Sequence, residues 1–239
     1  MGAGRSRIPK ASDLVVNSIR NKILFERLPV GARLPSEIEL MEEHGLGRVT
    51  VREALRILER QGLVEVRRGP NGGIFVRHAD IRQVSDALAL LFSFRDTTLG
   101  EFADFRLLVE PRVAYLAALN ASDDQRIALV LAAESEGDNA RTADMHSLIA
   151  DACGNDVFEF TMKSMHRSLA GHFRHEFITP ENRDETARAH LKIAEAIASG
   201  DAEVAERSMR RHITTYGLYL REHGLDTEPI VPRDSSNPG

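Results

Sequence analysis

Between residues 12 and 77 the spacing of apolar positions changes character, and each change marks an element. Leu14, Val15, Ile19, Ile23 and Leu24 fall roughly on one face of a helix from Ser12 to about Arg27. "LPVGARLP" breaks that pattern, and Ser36 with Glu39 then forms a capping box that predicts a second helix from about Glu37 to His44. Gly45 and Gly47 end it. A third helix begins near Arg48, with Val51, Ala54, Leu55 and Leu58 at i, i+3, i+4 and i+7 as the stripe it must bury. After Gly62 the period becomes that of a strand: "LVEVRR" alternates, "GPNGG" turns, and "IFVR" returns as the second arm of a hairpin. Three helices and a hairpin make a winged helix-turn-helix.

Beyond "HADIRQ" nearly every strong segment is helical. Thr98 with Glu101, and Ser122 with Gln125, are capping boxes, Pro111 is expected to bend or interrupt its helix, Gly200 is a C-cap and Asp201 an N-cap. The fold class is therefore mainly α: an N-terminal winged helix-turn-helix followed by an all-helical bundle of six or seven helices. The expected boundaries are a flexible N-terminus (1–11), the winged domain (12–78), a linker (79–84), a helical effector-binding and dimerisation domain (85–224) and a disordered tail (225–239).

Composition narrows the class. Hydrophobic residues make up 42% and charged residues 28% of 239, and the longest apolar run, Ala87–Phe92, is far too short to span a bilayer. With no charged-then-apolar leader the expectation is a cytoplasmic protein that meets the nucleoid through DNA, with no membrane partner. Cys153 is alone, which excludes an internal disulfide framework and fits a small buried thiol. The net charge of -5 divides unevenly: residues 1–78 hold 14 Lys+Arg against 9 Asp+Glu (+5), and the rest 17 against 27 (-10). A basic front and an acidic back suggest two domains facing different partners.

In a helix-turn-helix the second helix of the pair enters the major groove. Arg48 and Arg52 lie about 40° apart around that helix and project from the entering end. A guanidinium fork pairs with guanine or bridges phosphates, while Thr50 and the Ser36 cap offer a hydroxyl and helix-start N–H groups to phosphate. Arg67 and Arg68 add charge to the wing. Alone, an arginine stripe interrupted by Glu53 and Glu59 also fits a solvated face; the capped helix before it and the basic wing after it favour DNA. On the same reasoning Arg56, flanked by those glutamates, belongs to the solvated back.

Leu34 to Val76, "LPSEIELMEEHGLGRVTVREALRILERQGLVEVRRGPNGGIFV", resembles the DNA-binding domain of the GntR family of bacterial transcriptional regulators. The resemblance implies a homodimer on a palindromic operator, with Arg48 and Arg52 reading bases and phosphates, Thr50 touching the backbone, and Arg68 with Gly69 at the wing tip. The chain departs from the family pattern at Ile38, Gly47 and Val49, where an arginine and small hydroxyl residues or proline are common. "RLLVEPRVAYLAAL", "MHSLIADACGN" and "AHLKIAEAIASGDAEVAERSMRRHI" are similar to the helical FCD-like ligand-binding domain of the FadR-type branch. That likeness puts His146, His190 and His212 on the histidine positions of a divalent-metal site suited to zinc or a similar ion. The aspartate expected four residues before His146 is Thr142 here, and Asp144, about 200° around the helix from His146, does not substitute. A three-histidine site completed by water or an effector carboxylate and a metal-free cavity lined by neutral histidines both remain open.

Arg106 and Glu110 have the spacing of an i, i+4 ion pair; the alternative is an inward Arg106 that holds an acidic effector. His166, His172 and His175 match no pattern and are expected at the surface or cavity rim. The expected function is a ligand-responsive regulator, a repressor, released or re-set by a small carboxylic acid or acyl compound. The rivals are a metal-dependent enzyme built on the three histidines, for which no general base or nucleophile is placed by motif, and a winged domain used for protein contacts.

Overall fold

The computed structural model describes residues 10–77, 81–135, 145–170 and 180–231. The chain divides into two compact units, Met1–Gln83 and Val84–Gly239.

The first unit runs α1 (Ala11–Phe25), β1 (Arg33–Leu34), α2 (Glu37–His44), α3 (Arg48–Arg60), β2 (Val64–Arg67) and β3 (Gly73–Val76). Ser36 and Glu39 reciprocate across the start of α2: the Ser36 N–H donates to the Glu39 carboxylate at 2.7 Å, and the Glu39 N–H donates to the Ser36 hydroxyl at 3.3 Å. Gly45 ends α2 in the left-handed region at φ 64°, where a side chain is strained. The predicted stripe of α3 is wholly buried, packed with Val15, Val16, Ile19 and Leu40. In α1 the buried face runs from Val15 to Val16 around the helix, with Ile19 and Ile23 between them; Leu14 and Leu24, expected inside, are exposed. Ser12, Val16, Ile19 and Ile23 follow a tighter i, i+4, i+7 track than a stripe drawn through the two leucines.

The wing is antiparallel, in the order β1-β3-β2, with Val66 opposite Ile74 and Arg33 opposite Phe75. At its tip a Cβ on Gly72 would lie 2.5 Å from the Arg67 carbonyl, so only glycine fits that turn.

The second unit contributes α4 (Ile81–Arg95), α5 (Leu99–Asn120), α6 (Asp123–Ser135), α7 (Met145–Asp151), α8 (Asp156–Ala170), α9 (Pro180–Ser199) and α10 (Ala202–Glu222). Helix α4 takes up residues 81–84 of the expected linker, and residues 79 and 80 lie outside the described residues. Helix α5 is the centre of the bundle: Ala114, Ala117 and Ala118 are small enough for α9 and α10 to approach, and Leu129, Ile149, Ile193, Ile197, Met209 and Ile213 complete the core. Pro111 does not interrupt α5, which continues for nine residues past it. It removes one backbone donor, but Pro111, Val113 and Ala114 are all buried, and that packing keeps the helix intact.

Arg126 of α6 gathers the carbonyl ends of two helices. It donates to Ile197 and Ala198 of α9 at 2.7 and 2.9 Å, and to Ala118 and Ala121 at the end of α5 at 2.9 and 3.0 Å. The Ile197 carbonyl also accepts from the Gly200 N–H at 3.1 Å; for all four, a cation suits the negative ends of the helix dipoles.

The expected disordered tail is corrected for residues 225–231. Leu99 and Gly100 donate to Glu228 and Asp226 at 2.9 Å each, Ile230 donates to Thr97 at 2.8 Å, and the Ile230 side chain is buried against Phe102. A single apolar residue finding a long-range partner outweighs the polar composition around it.

Candidate functional site

Two groups of residues carry chemistry, one in each unit. In the first, Gly47 caps α3 with backbone alone, so no side chain occupies the start of that helix. Arg48 and Arg52 are exposed and Thr50 is half-buried at the helix edge. Arg52 donates from Nε to both Glu37 oxygens at 3.1 Å. Its two terminal nitrogens make no further hydrogen bond among the described residues, so Glu37 braces the side chain and leaves the fork presented outward. The Ser36 N–H, expected as a phosphate donor, is committed to Glu39, which leaves the hydroxyl for that role. In the wing, Arg68 is exposed beside Gly69 at φ 100°, whereas Arg67 is bound to Glu65 at 3.0 Å and lies over the Phe75 ring at 4.6 Å. Arg56 is exposed on α3, on the same outward face as Arg52 and one turn further from the entering end.

In the second unit the three predicted histidines meet. Nε2 of His190 and Nε2 of His212 are 3.2 Å apart, and the His146 ring centre lies 5.1 Å from that of His190 and 5.4 Å from that of His212. Arg106 and Glu110 prove to be both an i, i+4 pair and inward-facing: they are 5% and 2% exposed, with Arg106 Nε donating to Glu110 Oε1 at 2.6 Å. Glu110 then serves as the hub. Its Oε2 takes His146 Nδ1 at 2.6 Å and its Oε1 takes His166 Nε2 at 3.1 Å.

His166 is thus corrected from a surface or rim residue to a buried member of the cluster, 8% exposed and stacked 5.2 Å from His146. A signal was present, since His166 stands four residues beyond the buried Met162 on the same face of α8. His172, His175, Thr142 and Asp144 lie outside the described residues. Among the described residues the carboxylate that reaches the cluster is Glu110, from α5.

The protonation states follow from this environment. Burial opposes ionisation of Glu110, but Arg106 and His146, with His166, hold its carboxyl well below the usual range. Burial pushes His146 down to about 4 against the pull of Glu110, and burial beside His190 and His146 depresses His212 well below an ordinary histidine. With Nδ1 of His146 donating to Glu110, its Nε2 carries the lone pair, which Arg106 Nη2 meets at 2.9 Å. Tyr216 closes one side, its ring 5.2 Å from the Arg106 guanidinium and its hydroxyl pushed up by burial.

Imidazole nitrogens, with one ring anchored by a carboxylate, suit a borderline divalent ion. The 3.2 Å between the two Nε2 atoms is close to the ~3.3 Å that separates nitrogens around a tetrahedral ion with bonds of about 2.0–2.1 Å. The spacing of His190 and His212 therefore suits zinc or a similar ion, and His146 would join them once Arg106 released its Nε2 lone pair.

Residues 11–76 match the family described as bacterial regulatory proteins, gntR family, and residues 101–215 match the FCD domain. The transcriptional repressor NanR of Enterobacter sp. (strain 638) is 30% identical over 222 residues, covering 86% of this chain and 84% of that protein. The Glc operon transcriptional activator of Escherichia coli (strain K12) is 28% identical over 242 residues, covering 92% of each. Among solved structures, Streptococcus agalactiae GntR shares the fold with a TM-score of 0.58 at 24% identity, over 87% of this chain and 99% of that one. No helix among the described residues is long and apolar enough to cross a membrane. The winged unit with its outward arginines and the helical unit with its buried cluster are the two halves of one kind of molecule: the chain belongs to the gntR family of bacterial regulatory proteins, as a ligand-responsive DNA-binding transcriptional regulator with a C-terminal FCD domain.

Proposed function

We propose that the protein is a homodimeric repressor which grips a palindromic operator through α3 and the wing, and that a small carboxylic acid or acyl compound at the histidine cluster releases it. Arg48 and Arg52 read bases and phosphates, Thr50 and the Ser36 hydroxyl touch the backbone, and Arg68 with Gly69 enters from the wing. The observation that carries this reading is the outward fork of Arg52 held by Glu37 on the exposed face of α3. The second copy is supported by α4, which leaves Val84, Leu90, Leu91 and Phe94 exposed on one 15-residue helix. The relatives include both a repressor and an activator; repression is the direction proposed for this chain.

His146, His190 and His212 would hold a divalent metal, with Glu110 fixing the ring of His146. Such an ion supplies an open position for a carboxylate oxygen, and Arg106 supplies a guanidinium beside it. Release is a linkage: an acid that binds better to the non-DNA conformation weakens operator affinity by that ratio. The test is titration of short- and medium-chain carboxylic acids into the protein–operator complex, followed by fluorescence anisotropy. At least one acid is expected to dissociate wild type and to fail on Arg106→Met. If every acid that dissociates the complex acts equally on the variant, the site is wrong.

A further inference from the structure

The recognition helix carries an exposed side chain that hydrogen bonding to DNA cannot use. Around α3 the buried residues Val51, Ala54, Leu55 and Leu58 define the inward direction, and at about 100° per residue Val49 points almost diametrically away from it. Val49 is 83% exposed, with Arg52 to one side of it around the helix and Glu53 to the other. The Arg52–Glu37 contact brings the start of α2 beside this surface, and the residue after Glu37 is Ile38, 57% exposed. Gly47, immediately before the helix, has nothing within 4 Å of where a Cβ would stand, so position 47 itself puts no side chain beside Val49.

Isolated exposed apolar residues are ordinary on protein surfaces. This one occupies the centre of the face that enters the groove, flanked by an arginine whose fork is aimed outward. Valine has neither donor nor acceptor and therefore cannot read guanine, cytosine or adenine by their hydrogen-bonding edges. Thymine alone presents an apolar group, its C5 methyl, in the major groove. A β-branched side chain on a helix is also nearly fixed at χ1, so little rotamer freedom is lost when it packs against that methyl.

We infer that Val49, with Ile38 at the start of α2, is a specificity-determining contact for thymine methyl groups in each operator half-site. The inference rests on the proposed entry of α3 into the major groove. It assigns base preference to two apolar side chains that form no polar contact.

The experiment starts by selecting a duplex from a random-sequence library with full-length protein. Thymidines of that duplex are then replaced one at a time by deoxyuridine, which deletes the methyl and leaves pairing and phosphates intact. Wild type is expected to lose about three- to tenfold in affinity at one or two positions per half-site. Val49→Ser, a change at an exposed position, should bind the thymidine and deoxyuridine duplexes within about twofold of each other at one of those positions, and Ile38→Asn should abolish the difference at a neighbouring one. If no deoxyuridine substitution costs wild type more than about twofold while Arg52→Ala still weakens binding, the methyl contact is overturned and groove entry stands. If the protein enriches no duplex even at low salt, groove entry falls and the inference with it.

Discussion

Glu110 accepts from Arg106, His146 and His166 and so holds a guanidinium and two imidazole rings in a single buried network. Such a network is strong only while complete, because removing one partner strands a charge in a medium that solvates it poorly. Glu110→Ala should therefore destabilise the protein by about 3–5 kcal/mol in urea unfolding, whereas Arg106→Met with Glu110→Leu should recover most of that loss. At the same scale, protein purified and then exposed to zinc should hold close to one ion per chain by elemental analysis, and His190→Ala or His212→Ala should hold little. Fewer than about one ion per two chains of wild type would count against the three-histidine site. The i, i+4 spacing of Arg106 and Glu110 was legible in the sequence, but their burial was not. Its sign was that both sit among Phe105, Leu107, Val109 and Pro111 in a segment with no sustained polar face.

Capping boxes and breakers act within four residues, which is why Ser36–Glu39, Thr98–Glu101, Ser122–Gln125 and Asp201 all fell where the sequence put them. Features that depend on distant partners did not show. Strand β1 is two residues long and exists because β3 offers it an edge, and residues 225–231 are ordered by contacts with Thr97 to Phe102. Arg126 is of the same kind: its four carbonyl partners belong to helix ends that are remote in sequence or turned back on α6. Arg126→Ala should leave several buried carbonyls without donors and lower the unfolding free energy by about 2–3 kcal/mol, with Arg126→Lys recovering only part, since an ammonium lacks the planar fork. An unchanged melting temperature for the alanine variant would show that water replaces the guanidinium at no cost.

For the molecule as a whole, the division of charge already separated a basic front from an acidic back, and the boundary between the two units falls close to that change. Assembly belongs to this scale too. If α4 packs on a second copy, Leu90→Glu with Phe94→Glu should shift sedimentation from dimer to monomer and weaken operator binding together, because two recognition helices must act on one palindrome. A variant that stays dimeric would move the interface elsewhere. The central claim is that α3 reads DNA, and the most direct test is operator affinity measured across a salt series for wild type and Arg52→Ala. Loss of about ten- to a hundredfold with a shallower salt slope is predicted for the variant; equal affinity and an equal slope would contradict it.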